Sequence, residues 1–245
     1  MEKPGRQEIA KMIDHSLLHP TMTDRELTEG IALARKYNVA SVCIKPYAVK
    51  MAAEMLAGSD VLVCSVIGFP HGNSRVDVKV YETEKAIGDG AEEIDMVVNI
   101  GKVLSEDWEY VSAEIGAVAG VTKNRGAVLK VIFENDFLPA DHYKIRLCEI
   151  CNRHGVDFVK TSTGYGFVKQ PDGTYGYRGA THHDLVLMRK HADPEVQVKA
   201  AGGVRTLEDT LKVRELGVTR IGATATEAIL LAMSGKAREE EPEGS

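Results

Sequence analysis

The sequence predicts a single-domain α/β protein with the (β/α)8, or TIM-barrel, architecture, and three features of the chain predict it. Short runs rich in β-branched residues alternate with amphipathic stretches from one end to the other, which is typical of a parallel sheet. Most of these runs are continuously apolar, as expected of strands buried on both faces. Eight such units fit within 245 residues, which favours a closed barrel over an open sheet.

The eight predicted strands follow one another at intervals that leave room for a crossover helix. They are Met12–Leu17, Ala40–Lys45, Val61–Gly68, Glu93–Val98, Val128–Phe133, Asp157–Ser162, Gln197–Ala201 and Thr219–Ala223. Two helices carry visible start signals, because Thr23 precedes Glu26, and Thr206 precedes Asp209, with the spacing of a capping box. We therefore expect residues 1–236 to form one barrel domain.

Two segments interrupt the regular pattern. Residues 167–178 lengthen the loop after the sixth strand, and Pro171-Asp172-Gly173 is a turn signal that predicts the tip of a small hairpin. On the catalytic face of a barrel, a loop of this length is a candidate lid. Residues 237–245 are strongly charged and predict a disordered acidic tail outside the barrel.

Composition narrows the class of partner. The net charge of −6 provides no general basic surface for nucleic acid, so any anionic ligand must be held by a local site. The first residues lack an apolar secretory core, and no apolar run approaches the roughly 18 residues of a membrane span. We therefore expect a cytoplasmic protein that acts on small molecules, with neither nucleic acid nor a membrane as its partner.

The cysteines and histidines do not predict a metal or redox centre. The chain has four cysteines, too few and too scattered for a disulfide framework: Cys43, Cys64, Cys148 and Cys151. The last two have CxxC spacing, but they fall inside a helical pattern, which favours ordinary packing. His182 and His183 lie at a predicted helix start without the companion carboxylates of a persuasive metal site. We expect no metal and no cofactor.

A barrel carries its functional residues at the C-terminal ends of its strands. Lys160 and Lys199 are predicted to lie at such positions, because each ends an apolar run and is followed by small or hydroxyl-bearing residues. Desolvation disfavours the ammonium form, and two converging cations depress each other's pKa, so that one amine becomes a nucleophile toward carbonyl compounds. Charges inside strands are costly unless paired, so we expect one compensating cluster of Asp14, Asp95, Lys130, Lys160 and Lys199.

Members of this cluster also have plain structural interpretations. A strand-end lysine such as Lys130 can snorkel to solvent, and Asp95 can be a purely structural partner for a lysine. Glu92 and Glu93 are expected to precede the fourth strand and to face solvent. A catalytic role is favoured over a structural one because several lysines occur together with a carboxylate. Schiff-base formation needs this set of groups.

A glycine-rich group forms a second constellation. Gly202 and Gly203 follow the seventh strand, and Gly222 and Thr224 lie at the end of the eighth. Barrels commonly bind a phosphate at this place through backbone N–H groups. Glycines alone are a weak signal, because they also permit tight strand-to-helix turns. Their joint placement predicts an anion site.

Seven segments of the chain resemble the deoxyribose-phosphate aldolases, a family of metal-independent class I aldolases with a (β/α)8 fold. Those segments are residues 13–20, 42–46, 66–72, 93–95, 129–132, 158–164 and 199–205. The resemblance covers nearly the whole chain. It implies reversible cleavage of 2-deoxyribose 5-phosphate to acetaldehyde and glyceraldehyde 3-phosphate through a Schiff base, with no cofactor and with a homodimer as one open form of assembly.

The resemblance also implies roles for individual residues. Lys160 forms the Schiff base, Lys199 is the neighbouring cation, Asp95 relays protons, and Lys130 belongs to the surrounding charge network. Three further residues fall near the substrate and four around its phosphate: Asp14, Cys43 and Thr161, and then Gly202, Gly203, Gly222 and Thr224.

Three features depart from the family pattern. Ala225 follows Thr224 where many members carry a second hydroxyl, the chain ends in an acidic tail where some members end in a tyrosine that reaches the active site, and loop 167–178 is longer. Lys169 or Arg178 could replace the lost phosphate contact. A related aldolase with a non-phosphorylated or longer substrate stays open, as does a non-catalytic phosphosugar-binding barrel.

Overall fold

The computed structural model describes residues 4–234, in which eight parallel strands close into a barrel. The barrel strands are β1 (Ile13–Leu17), β2 (Ser41–Ile44), β3 (Leu62–Ile67), β4 (Glu93–Val97), β5 (Val128–Ile132), β6 (Phe158–Lys160), β9 (Gln197–Ala201) and β10 (Arg220–Ala223). Their order around the barrel follows the chain, and β10 pairs with β1 to close it. The predicted (β/α)8 barrel is confirmed.

One helix precedes the first strand, and the others follow strands and pack around the barrel. They are α1 (Arg6–Ala10), α2 (Asp24–Tyr37), α3 (Val49–Leu56), α4 (Val76–Gly88), α5 (Ile100–Leu104), α6 (Trp108–Arg125), α7 (Asp141–His154), α8 (His182–His191), α9 (Leu207–Glu215) and α10 (Thr226–Ala232). Both predicted capping boxes are present, at Thr23 with Glu26 and at Thr206 with Asp209. In each box the two residues satisfy each other's backbone N–H groups, which fixes where the helix begins.

Most strands are slightly shorter than predicted, and β6 differs most. It was expected to extend from residue 157 to residue 162, but it ends at Lys160. Beyond it, the Thr161 hydroxyl donates to the Ala201 carbonyl at 2.9 Å and accepts from the Ala201 N–H at 3.0 Å. The Thr161 side chain therefore makes the hydrogen bonds to the neighbouring strand beyond this point. Lys160 is the last residue of β6 and lies at the mouth of the barrel.

The long loop after β6 carries a small antiparallel hairpin, as predicted. Its strands are β7 (Val168–Lys169) and β8 (Tyr175–Gly176). Pro171-Asp172-Gly173 lies between them, and Gly173 has a φ of +86°, a conformation that favours glycine. The predicted tail 237–245 and the domain boundary at residue 236 lie outside the described residues.

The CxxC pair packs in the protein core. Cys148 and Cys151 are buried on α7 as free thiols, and burial raises the pKa of Cys148 to about 12 and that of Cys151 above its ordinary value. Thiols of this kind are poor nucleophiles and poor metal ligands. Within residues 4–234, no helix is long and apolar enough to cross a membrane.

His15 on β1 makes the fold sensitive to pH. Its Nδ1 lies 2.8 Å from the Thr226 hydroxyl, and burial lowers the pKa of the imidazole to about 4. An unfolded histidine titrates near 6.5, so the unfolded chain binds more protons between these values. Stability is therefore present above pH 6.5 and is lost as pH falls, by about 2 kcal/mol between pH 7 and pH 5.

We expect His15→Gln to remove most of this loss. Urea unfolding at pH 7 and pH 5 measures it, with His142→Gln, at an exposed histidine, as the matched control. A slope with pH that is equally steep in His15→Gln and in the wild type would contradict the assignment.

Candidate active site

A cavity of about 400 Å³ opens at the C-terminal ends of the barrel strands. Lys160 and Lys199 reach it from β6 and β9, and Cys43 reaches it from β2. All four predicted phosphate-site residues also line it: Gly202, Gly203, Gly222 and Thr224. The long loop contributes three aromatic side chains, Tyr165, Phe167 and Tyr177.

Asp95 lies at the centre of the charged cluster below this cavity. Its Oδ2 is 2.6 Å from Lys160 Nζ and 2.7 Å from Lys199 Nζ, and its Oδ1 is 2.9 Å from Lys130 Nζ. Barrel register explains the convergence, because Lys160 pairs directly with Lys199, and Asp95 pairs directly with Lys130. The structure therefore brings together the four residues expected to carry the chemistry.

A second layer of charges supports the first. Asp14 Oδ2 lies 2.5 Å from Lys199 Nζ, and its Oδ1 lies 2.6 Å from Arg220 Nη1. Lys130 also lies 2.6 Å from Glu93, which in turn contacts Arg220 at 3.1 Å. The buried charges at the bottom of the site are therefore all paired, as charges in a protein interior need to be.

Sequence reasoning missed Glu93 and Arg220. The expectation that Glu93 faces solvent is wrong, because it lies inside β4 and is buried, whereas Glu92 is exposed as expected. A signal was available: Glu93 lies two residues before Asp95, and side chains two apart on a strand point to the same face. Arg220 likewise lies two residues before Gly222 on β10.

Two carboxylates and two lysines in this cluster are held in their charged forms. Burial raises the pKa of Asp95, but Lys130, Lys160 and Lys199 outweigh it and hold that pKa well below its ordinary value. The pKa of Asp14 is also held below its ordinary value against the effect of burial, chiefly by Lys199 and Lys130. Burial lowers the pKa of Lys199, but the Asp14 and Asp95 carboxylates raise it above its ordinary value.

The pKa of Lys199 is therefore not set by mutual repulsion between the lysines. The expectation that converging cations depress each other's pKa is wrong for this residue, because two carboxylates outweigh the repulsion from Lys130. Burial also lowers the pKa of Lys130, yet neighbouring anionic groups, Asp95 first, hold it well above its ordinary value. Both lysines are fixed cations.

The number of carboxylate partners distinguishes Lys160 from the other two lysines. The cluster joins four basic side chains (Lys130, Lys160, Lys199 and Arg220) to three acidic ones (Asp14, Glu93 and Asp95). Among the described residues, Lys160 is paired with one carboxylate, Lys199 with two and Lys130 with three, so Lys160 has the fewest carboxylate partners of the three lysines.

The ligand atoms of Cys43, Cys64 and Asp95 lie within 4.8 Å of one another, close enough to hold a metal ion. The surrounding charges oppose one. Three ammonium groups already contact Asp95, and Lys130 Nζ lies 3.3 Å from Cys64 Sγ. A metal cation would have to displace them, so the donor set fits amine chemistry and does not fit a metal centre.

His183 also has carboxylate neighbours, which sequence reasoning did not foresee. Its ligand atoms lie within 4.8 Å of those of Asp141 and Asp184. Lys144 already occupies this group, at 2.5 Å from Asp184 and 3.2 Å from Asp141. The group is therefore explained by an ion-pair network between α7 and α8.

Two of the residues expected near the substrate support the cavity without lining it. Thr161 uses its hydroxyl to join β6 to Ala201, and Asp14 is fully buried beneath Lys199. Lys169 and Arg178, the candidates for a replacement phosphate contact, are exposed and also do not line the cavity. The hairpin leaves both cations exposed, outside the cavity lining.

The glycines beside the cavity are required by the backbone. Gly202 and Gly203 have φ angles of +84° and +90°, which favour glycine. A Cβ at Gly202 would lie 3.0 Å from Gly179 Cα. Arg205, which follows these glycines, also lines the cavity, and sequence reasoning did not single it out.

A (β/α)8 barrel that presents a buried cluster of amines and carboxylates at its C-terminal mouth defines an enzyme class that acts on carbonyl compounds. Comparison with known proteins narrows the class. The model of the DeoC/LacD family of aldolases matches residues 8–230, and the chain belongs to this family.

Individual relatives support the same assignment. The chain is 52% identical over 233 residues to the deoxyribose-phosphate aldolase of Rhodopirellula baltica, covering 95% of this chain and 90% of the relative. It is 48% identical over 223 residues to the deoxyribose-phosphate aldolase of Bacillus cytotoxicus, covering 91% of this chain and 95% of the relative. Among solved structures, the tetrameric deoxyribose phosphate aldolase of Aeropyrum pernix superposes on this chain with a TM-score of 0.83 at 28% identity. The superposition covers 94% of this chain and 92% of the Aeropyrum pernix chain.

Proposed function

We propose that the protein is a class I aldolase that reversibly cleaves 2-deoxyribose 5-phosphate to acetaldehyde and glyceraldehyde 3-phosphate. The observation that carries the proposal is the contact of 2.6 Å between Lys160 Nζ and Asp95 at the floor of the cavity, with the charged Lys199 beside it. The names of the related proteins support the choice of substrate.

Lys160 opens the reaction as the nucleophile. Its amine attacks the C1 aldehyde, and loss of water from the carbinolamine leaves an iminium. Removal of the proton from the C3 hydroxyl then breaks the C2–C3 bond, because the iminium accepts the electron pair and becomes an enamine. Glyceraldehyde 3-phosphate leaves, and protonation at C2 followed by hydrolysis releases acetaldehyde and restores the lysine.

Asp95 acts as a proton relay in this scheme. It contacts Lys160 directly, so it can receive the proton that the amine loses on attack. Its low pKa prevents it from keeping that proton, which must pass on to water or to the substrate. Lys199, held charged by Asp14 and Asp95, fixes the orientation of the relay and stabilises anionic oxygen that develops nearby.

The phosphate is proposed to bind on the glycine side of the cavity, next to Arg205. A guanidinium binds phosphate through charge-assisted hydrogen bonds, and in Arg205→Ala the loss of this contact should raise KM for 2-deoxyribose 5-phosphate about tenfold. Activity on unphosphorylated 2-deoxyribose should not change. Arg178→Ala is the control, because that exposed residue does not line the cavity. Equal losses on both sugars would contradict the placement.

A second candidate is an aldolase of the same mechanism with a different substrate, and the hairpin favours it because β7 and β8 lie in the loop that reaches the cavity. Comparing kcat/KM for the two sugars in the wild type decides between the candidates. A large preference for the phosphorylated sugar rules out the second. Membership of an aldolase family argues against a non-catalytic barrel.

Three further properties belong to the proposal. The chemistry uses side chains alone, with no metal or cofactor. The free, buried thiols suit a reducing compartment, which supports a cytoplasmic site of action. A homodimer is the proposed assembly, to be tested by light scattering against the tetramer that the name of the Aeropyrum pernix relative records.

A further inference from the structure

The hairpin segment is attached to the barrel at both of its ends by two carboxylates. Glu134, at the end of β5, accepts hydrogen bonds from the Thr163 N–H at 3.1 Å and from the Thr163 hydroxyl. Asp136 accepts from the N–H groups of Arg178 and Gly179 at 2.6 and 2.9 Å. The segment between these anchors is therefore held in a defined position over the cavity.

Aromatic side chains of this segment form part of the cavity wall. Phe167 and Tyr177 both line it and pack edge to face, with their ring centroids 5.4 Å apart. Tyr165 lines it as well and packs edge to face on Phe69 at 5.6 Å. By contrast Tyr175, on the same hairpin, is 65% exposed and does not line the cavity.

Tyr177 lies directly against the proposed phosphate end. A Cβ placed on Gly202 would be 3.3 Å from Tyr177 Cε2, so the ring packs on the bare backbone of that glycine. Tyr165 and Tyr177 line the same cavity, and burial, followed by Tyr177 and Cys43, raises the pKa of the Tyr165 phenol. Tyr177 is partly buried, and a tyrosine with one apolar and one polar end usually directs its hydroxyl to a hydrogen-bond partner.

We propose that Tyr177 is a substrate-binding residue that selects for the phosphorylated end of the substrate, its hydroxyl donating a hydrogen bond to the phosphate. This inference rests on the proposed function. The ring forms the cavity wall beside Gly202, and its phenol is a neutral hydrogen-bond donor, which the side chain of Ala225 is not. Hydrogen bonds from neutral donors to an ionised phosphate are stronger than bonds between neutral groups.

Two substitutions separate the hydroxyl from the ring. Tyr177→Phe removes only the hydroxyl and should raise KM for 2-deoxyribose 5-phosphate about tenfold, with kcat nearly unchanged. Tyr177→Ala also opens the wall and should raise it further. The value of kcat/KM for unphosphorylated 2-deoxyribose should be the same in Tyr177→Phe and the wild type. Tyr175→Phe is the matched control on the exposed face of the hairpin.

A binding measurement makes the test independent of turnover. Calorimetric titration of the intact enzyme with inorganic phosphate should show a Kd about tenfold weaker in Tyr177→Phe than in the wild type, with Tyr175→Phe unchanged. An unchanged Kd in Tyr177→Phe overturns the inference, as do equal losses of kcat/KM on both sugars. Failure of the wild type to cleave 2-deoxyribose 5-phosphate overturns the proposed function instead, and the phosphate titration still decides the role of Tyr177.

Discussion

Replacement of Lys160 by alanine is expected to lower kcat by roughly 10⁶-fold, the scale seen when a nucleophile is removed from an enzyme. Without this amine no Schiff base forms, and neither of the other lysines can substitute. Lys199 and Lys130 are held as cations by two and three carboxylates, whereas a nucleophile must be an uncharged amine.

Trapping with borohydride locates the reactive lysine directly. Acetaldehyde and borohydride should leave an ethyl group on Lys160, detected by peptide mass mapping, and the remaining lysines of the same sample serve as internal controls. Lys160→Arg keeps a cation beside Asp95, so it should fold normally and yet stay inactive and unlabelled at this position. An ethyl group on Lys199 in the wild type would overturn the assignment of the nucleophile.

Asp95→Asn is expected to damage both stability and turnover. The carboxylate contacts three ammonium groups, all of them buried, and its loss leaves positive charge that Asp14 and Glu93 cannot fully compensate. Breaking a buried ion pair of this kind costs about 3 to 5 kcal/mol. Loss of the proton relay should lower kcat by roughly 10² to 10⁴-fold.

Glu114→Gln provides the matched control for this variant. Glu114 and Lys79 form another fully buried ion pair, 2.6 Å long, outside the cavity. The control should therefore lose comparable stability in urea unfolding while its kcat stays near the wild-type value at temperatures where it is folded. If both variants lost kcat equally, the effect of Asp95→Asn would be structural and the relay would be ruled out.

The residues that sequence reasoning found and those it missed differ in a physical way. Lys160 and Lys199 are recognisable because a charge at the end of an apolar run is unusual in itself. Glu93 and Arg220 stand at the start of their runs, where a charge is ordinary, and only their partners reveal that they are buried. Arg205 was overlooked for a similar reason, because an arginine after a strand is common on any surface.

The hairpin shows a different limit of prediction from sequence. Pro171-Asp172-Gly173 predicted the turn, since turn chemistry is local. Local sequence could not show that Tyr177 turns inward onto Gly202 while Tyr175 and Lys169 face solvent. That outcome depends on the anchors at Glu134 and Asp136, which come from the preceding strand-to-helix connection.

The sequence alone determined the barrel, the strand-end lysines and the resemblance to an aldolase family, because hydrophobic periodicity, turn signals and short motifs are local properties of the chain. Only the tertiary structure decided which lysine pairs with which carboxylates in the buried cluster. Closure of the barrel places Asp95 among three ammonium groups and gives Lys199 two carboxylates, and these partners come from strands distant in sequence. Electrostatic energy depends on such distances through space, and therefore only the folded chain distinguishes Lys199 and Lys130, with several carboxylate partners, from Lys160, with one.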